Sequence, residues 1–302
     1  MWRRLGGLCI GLLSLTVTTF AAGAEPVDQA KPKAEPSVFV RILREKEEPV
    51  ALQTSIVRYG RPKVDVKDFH VDLVGAVHVG EKEYYKQLNK QFETYDVLLY
   101  ELVAPEGTRV PKGAEGHGNH PLGAVQNGMK DMLGLEHQLT QIDYQKKNFV
   151  HADMSPEKFA KSMEDKKESV WTMMWRAAGY SMARQSARDP SGLGGMNLFG
   201  AMLSGDSVTM KREMAKQFED IEGAMGMFDG PDGSTIITER NKVALEVLRR
   251  EIAKGSKKLG VFYGAGHLPD MDKRLRDDFG LERKNVEWVT AWELRQPVRG
   301  KK

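Results

Sequence analysis

Two short stretches of this chain place a histidine three residues after a glycine at the end of an apolar run: Gly75-Ala76-Val77-His78 and Gly264-Ala265-Gly266-His267. Between them in sequence, Glu101 stands within the apolar run Val97-Leu98-Leu99-Tyr100-Glu101-Leu102-Val103. A carboxylate in such surroundings is costly unless it is paired, protonated or bound to a cation. Neutral imidazoles and a carboxylate are suitable donors for a divalent ion, and a set made only of N and O admits Mn²⁺, Co²⁺ or Zn²⁺. An ion held there lowers the pKa of its water and polarises a carbonyl, which is hydrolytic chemistry. His78, Glu101 and His267 are therefore the candidate catalytic and metal-binding residues. Glu101 has a second candidate role as general base. The purely structural alternatives are an ion pair with a Lys or Arg for Glu101 and hydrogen-bonded core positions for the histidines.

These residues need elements to bring them together. Val38 to Leu43 and Leu52 to Tyr59 read as strands, with polar Arg44 to Glu48 as the turn between them. Val71 to His78 is a stronger strand; Tyr84, Tyr85, Leu88, Phe92 and Tyr95 then recur at helical spacing, and Asp96 to Val103 is a nearly continuous apolar strand. A helical crossover of this kind makes the two strands parallel and right-handed. Near the other end Leu259 to Tyr263 reads as a strand, Gly264 to His267 as a turn, Pro269 to Phe279 as a helix and Val286 to Trp292 as a strand. The pattern predicts an α/β fold in which two related β-α-β units form a central mixed sheet. The carboxyl ends of parallel strands are where such sheets present ligands, which is where both histidines fall.

Between the units, Gly128 to Phe228 reads as a mainly helical insertion holding 13 of the 15 methionines. Met is ordinary core filler, but it also builds adaptable apolar grooves, and Trp171, Met173, Met174, Trp175, Met202 and Met210 are the candidates for a peptide-binding surface. His151 and Asp153 follow a short strand-like stretch, placing them either in a surface turn or near the same site. Glu136 and Asp143 have the same two readings. His117 and His120 lie in the glycine-rich loop Gly113 to Gly123, read as a solvated loop or a flap.

The 302 residues carry 45 Lys plus Arg against 42 Asp plus Glu, and one cysteine. Basic Met1 to Arg4, apolar Leu5 to Phe20 and Ala22-Gly23-Ala24 before Glu25 form a secretory signal pattern, so residues 1–24 are expected to be removed and the mature protein to be periplasmic or secreted. Residues 25–37 read as a flexible linker and 38–302 as a single catalytic-like domain. Removal of Arg3, Arg4 and Cys9 leaves 43 basic against 42 acidic residues and no thiol. That balance argues against a nucleic-acid partner, and the missing thiol excludes disulfides and thiolate sites. No later stretch is long and apolar enough to span a membrane. Gly264-Ala265-Gly266 begins like a dinucleotide fingerprint but lacks the third glycine. No H-E-x-x-H, G-x-S-x-G or P-loop is present.

Taken together, Val74 to His78, Leu99-Tyr100-Glu101-Leu102, Gly134-Leu135-Glu136 with Gln138, Glu239-Arg240-Asn241 and Gly264 to Leu268 resemble the TraB/PrgY/GumN/Tiki family over about Val71 to Trp292. The resemblance implies an α/β fold of the erythromycin-esterase/ChaN-like group. Through the Tiki members it implies a metal-dependent peptidase, with manganese or cobalt as ions, that uses His78, His267 and Glu101, with Arg240 and Asn241 as polar partners. Tiki proteins act at membranes, whereas this chain has no second hydrophobic segment. The expected function is a metal-dependent hydrolase of exported polypeptides. The alternatives are a non-catalytic peptide- or signal-binding regulatory protein and a metal-independent esterase-like hydrolase.

Overall fold

The structure is a computed structural model that describes residues 37–105, 107–108, 133–169, 200–201, 203–218 and 233–296. The signal and linker segments, the loop carrying His117 and His120, and Trp171, Met173, Met174, Trp175 and Met202 lie outside the described residues.

The chain opens with a hairpin, β1 (Val40–Glu45) and β2 (Glu48–Gly60), closed by Lys46 and Glu47 at φ 47° and 70°. Two left-handed residues are what a tight hairpin turn with the right strand twist requires. Strand β3 (His70–Ala76), the short β4 (Val79–Gly80), helix α1 (Lys82–Phe92) and β5 (Val97–Tyr100) follow. Next come β6 (Glu136–His137), the single turn α2 (Gln138–Gln141), β7 (Phe149–His151) and α3 (Pro156–Asp165), the last started by Pro156 and by Ser155 Oγ accepting from Lys158 N. Helix α4 (Ser207–Phe218) precedes a π-helical turn (Thr235–Glu239) that runs into α5 (Arg240–Ala253). Strand β8 (Lys258–Gly264), a 3-10 turn at Ala265–His267, α6 (Leu268–Asp277) and β9 (Glu282–Glu293) end the fold.

The sheet is mixed, as the patterning predicts. Its order is β1-β2-β3-β8-β5-β7, with β9 also on β2. Strands β3, β8, β5 and β7 are mutually parallel, while β1, β3 and β9 run antiparallel to β2. Long β2 accommodates three partners because β9 takes one edge from Ala51 to Gly60, and the other edge passes from β1 at Thr54 to β3 at Ile56. The two sequence units therefore close differently. β3 and β5 are parallel but separated by β8, whereas β9, which closes the second unit, returns antiparallel to β2.

Both faces of the parallel strands are covered, so alternate residues enter different cores. Val74, Leu98, Tyr100 and Phe262 pack with α1, Trp292 and Met210. Val71, Leu73, Leu99, Val261 and Tyr263 pack with the apolar faces of α5 and α6. Met210, offered above as a surface residue, is 3% exposed and serves the core. Gly260 in β8 is small for a packing reason: a Cβ there would stand 2.6 Å from Leu98 Cδ1 and 2.7 Å from the Tyr95 ring. Gly260→Ala is expected to cost about 1–3 kcal/mol through overpacking, read as a fall in the urea midpoint at constant m-value. An unchanged midpoint would refute that close approach.

Candidate functional site

The four parallel strands deliver one polar residue each just beyond their carboxyl ends: His78 after β3, His267 after β8, Glu101 after β5 and Asp153 after β7. Glu101 is not inside its strand, because β5 ends at Tyr100; its N–H still reaches Phe262 O at 3.2 Å, which sets its carboxylate beside the end of β8. There Glu101 Oε2 accepts from Gly264 N at 2.7 Å. A Cβ on Gly264 would lie 3.2 Å from that oxygen, so the glycine of the second Gly-x-x-His stretch admits the carboxylate. The glycine of the first has a different task, since a Cβ on Gly75 would crowd Leu268 and Ser55 O.

The π-helical turn ends immediately before Arg240 and Asn241, and such turns recur where side chains must be re-aimed. Arg240 Nη2 donates to Glu101 Oε1 at 2.7 Å and to Asp153 Oδ2 at 2.6 Å, while Nε donates to Asp153 Oδ1 at 2.9 Å. Asp153 is buried beside Arg240, which is its reading near the site and not the one in a surface turn; Arg240 was expected to be a polar partner there, and the fold names the carboxylates it pairs with. His151 is half-buried, its Nε2 bonded to Leu102 O at 2.6 Å and its ring beside Tyr100. Glu136 and Asp143 contact Gln141 and Gln145 respectively, not the cluster.

Asn241 settles the tautomer of His267. Its Nδ2 donates to His267 O at 3.0 Å and Asp270 Oδ2 at 2.8 Å; both are acceptors, so the amide orientation is determined. Oδ1 then faces His267 Nδ1 at 2.7 Å, and Nδ1 must carry the hydrogen. Nε2 is left facing Glu101 Oε1 at 3.5 Å. Asp270 is in turn held by Arg274 Nε at 2.8 Å.

His78 is presented differently. Tyr84 OH donates to Gly75 O at 2.8 Å, Tyr85 OH to Val77 O at 2.9 Å, Gln138 N to His78 O at 2.9 Å and Trp292 Nε1 to Val79 O at 2.8 Å. The backbone is thus pinned at both ends of the turn while the His78 side chain is exposed.

Burial of Glu101 would by itself raise its pKa, but its interaction and hydrogen bond with His267, the Arg240 guanidinium and, more weakly, His78 outweigh burial and hold the carboxyl well below the ordinary range. Burial acts to lower the Arg240 pKa, and its hydrogen bonds to Asp153 with the charges of Glu101 and Asp153 overcome that and raise it. Tyr263, fully buried and donating to Ala152 O, is kept protonated by burial and then by the nearby Asp153 and Glu101 charges. With His267 neutral, the two carboxylates against one guanidinium leave the cluster one negative charge in excess.

Imidazole with its distal N–H anchored, next to a carboxylate, is the donor type used for divalent ions. His267 and Glu101 meet that requirement together, whereas the His78 side chain makes no hydrogen bond or ion pair with either among the described residues. Among the described residues no three His, Cys, Asp or Glu side chains are grouped closely enough to hold a metal ion. Tyr263, Asp270 and the Gly264 N–H are functional neighbours that sequence reasoning missed; the only available signal was the i, i+4 pairing of Asp270 with Arg274.

Fold and site define an α/β protein with a buried Glu-Arg-Asp-His cluster at the carboxyl edge of its parallel strands. No family model, curated protein or solved structure matches the chain.

Proposed function

We propose that the protein is a hydrolase of exported polypeptides, with His267 and Glu101 at its reaction centre and a divalent ion, Mn²⁺, Co²⁺ or Zn²⁺, held by that pair; His78, the third ligand expected from the sequence, would have to swing in to join them. The observation that carries this reading is the approach of His267 Nε2 to Glu101 Oε1 at 3.5 Å with Nδ1 already committed to Asn241. With Nδ1–H donated, a neutral His267 directs its Nε2 lone pair at a carboxylate, an arrangement that a shared cation relieves. The excess negative charge supports the same reading. So does the resemblance of the paired Gly-x-x-His stretches and Glu239-Arg240-Asn241 to the TraB/PrgY/GumN/Tiki family, whose Tiki members are metal-dependent peptidases.

When bound, the ion supplies an acidified water and a polarised substrate carbonyl. The chain's own groups then have separate tasks. Asn241 orients His267, Arg240 keeps Glu101 ionised and placed, and the exposed His78 side chain is accessible to an arriving peptide.

A second reading, the metal-independent esterase-like hydrolase, draws on Arg240 Nη2 occupying the same Glu101 oxygen. A protonated His267 would then complete the charge balance and serve as acid. The test is cleavage of an unstructured peptide library and of simple esters by purified protein, after chelation and after each ion is added back. Peptide cleavage lost on chelation and restored by an ion is the expected result. Ester or peptide hydrolysis that survives chelation would select the second reading, and inactivity under every condition would leave a binding protein.

A further inference from the structure

The opposite edge of the same strands, where they begin, holds a cavity of about 330 Å³ that the site above does not use. Its polar lining comes from Arg58 near the end of β2, Lys67 in the following loop, His70 and Lys258 at the first positions of β3 and β8, and Gln91 and Thr94 at the end of α1. Four of these are basic types and none is acidic. That volume lies at the lower end of small-molecule sites.

Of the carboxylates that act on this edge, Asp72 and Asp96 are already committed, and Glu287 on β9 acts on Arg58 more weakly than Asp72 does. Asp72 accepts Arg58 Nε at 2.8 Å, Arg58 Nη2 at 2.7 Å and Tyr95 OH at 2.9 Å. Asp96 accepts the N–H groups of Lys257 at 3.0 Å and Lys258 at 2.9 Å. The ammonium groups of Lys67 and Lys258 make no hydrogen bond and no close ion pair among the described residues, the Asp96 carboxylate acting on Lys258 and His70 only at longer range, and Arg58 keeps Nη1 unspent.

His70 gives an independent pointer to a ligand. It is only 6% exposed, and its Nδ1 lies 2.6 Å from Val66 O, a bond that places the hydrogen on Nδ1. Nε2 has no partner, yet it is not among the sealed unpartnered atoms, so the edge of the ring that remains open is the one lining the cavity. Gln91 Nε2 is spent on Tyr95 OH at 3.0 Å and Thr94 Oγ1 donates to Gln91 O at 2.7 Å. The Gln91 and Thr94 side-chain oxygens are left as acceptors.

Cationic donors beside neutral acceptors match a ligand with an oxyanion at one end and hydroxyl groups at the other. We propose that this cavity binds a small phosphorylated polyol of the sugar-phosphate type. Its phosphate meets Lys67, Lys258 and Arg58 Nη1, His70 Nε2 exchanges a hydrogen bond with a phosphate oxygen, and its hydroxyls donate to Gln91 and Thr94. The site lies at the other end of β3 and β8 from Glu101, and the inference stands whether or not the hydrolase reading does.

The test titrates the full chain at constant ionic strength with glucose 6-phosphate, inorganic phosphate and glucose. Binding is followed by calorimetry and by the imidazole resonances of the histidines. Saturable binding of glucose 6-phosphate that moves the His70 resonances and not those of His267 is expected. The Lys67→Ala, Lys258→Ala double variant should weaken it roughly tenfold or more without shifting the melting temperature, since both side chains are exposed. Equal binding by inorganic phosphate would overturn the polyol part. Binding that never saturates, or that the double variant leaves unchanged, would overturn the site.

Discussion

Replacing Arg240 with methionine is expected to lower the free energy of unfolding by about 3–5 kcal/mol, because it leaves two carboxylates in a buried cluster with no counter-charge. Arg240 is 8% exposed, the Asp153 side chain is fully enclosed and that of Glu101 is 13% exposed, so water cannot substitute for the guanidinium. An exposed pair such as Lys161 and Asp165, 2.9 Å apart on α3, is the control, and Lys161→Met should change stability by no more than about 0.5 kcal/mol. Urea denaturation followed by circular dichroism measures both. Adding Asp153→Asn to Arg240→Met should recover part of the loss, since the two residues share one network. A loss below about 1 kcal/mol in the Arg240 variant would show that the carboxylates find another partner, and the site would need rebuilding.

Under the hydrolase reading, His267→Ala should lower kcat by about 10²–10⁴-fold, the range contributed by a positioned imidazole in hydrolytic chemistry. Asn241→Leu should cost less, about 10–100-fold, because it removes only the group that orients the ring and fixes its tautomer. The graded pair is informative: a purely structural His267 would give losses that track the folded fraction and not this order. Steady-state rates normalised to folded protein by circular dichroism decide the matter. Full activity in His267→Ala would remove His267 from the mechanism.

The local elements are legible in the chain, because their causes are local. The short apolar runs of β3, β5 and β8, the helical spacing of Tyr84, Tyr85, Leu88 and Phe92, and Pro near the start of α6 each act over one or two turns of chain. The sequence also marked Glu101 and the two histidines, since a carboxylate in an apolar run and a histidine at a strand end are visible without knowing their neighbours. The bounds drifted where ladder bonds are needed to set them. β5 stops at Tyr100, and β9 begins at Glu282, four residues before the apolar stretch, because β2 holds it in register through exposed residues.

Which strand and which charge pairs with which is set by the folded sheet. Insertion of β8 between β3 and β5 comes from contacts more than 150 residues apart in sequence, and no periodicity encodes it. That insertion brings Gly264 N to Glu101 and sets His267 beside it, while the π-helical turn aims Arg240 at Glu101 and Asp153, 139 and 87 residues away. Charge type is written in the chain, but the identity of a buried charge's partner is not. It follows from which strand ends the sheet order makes neighbours. The same order separates exposed His78 from buried His267, although the two share one sequence pattern, because α1 and its tyrosines cap the first turn by its carbonyls whereas Asn241 holds the second by its ring.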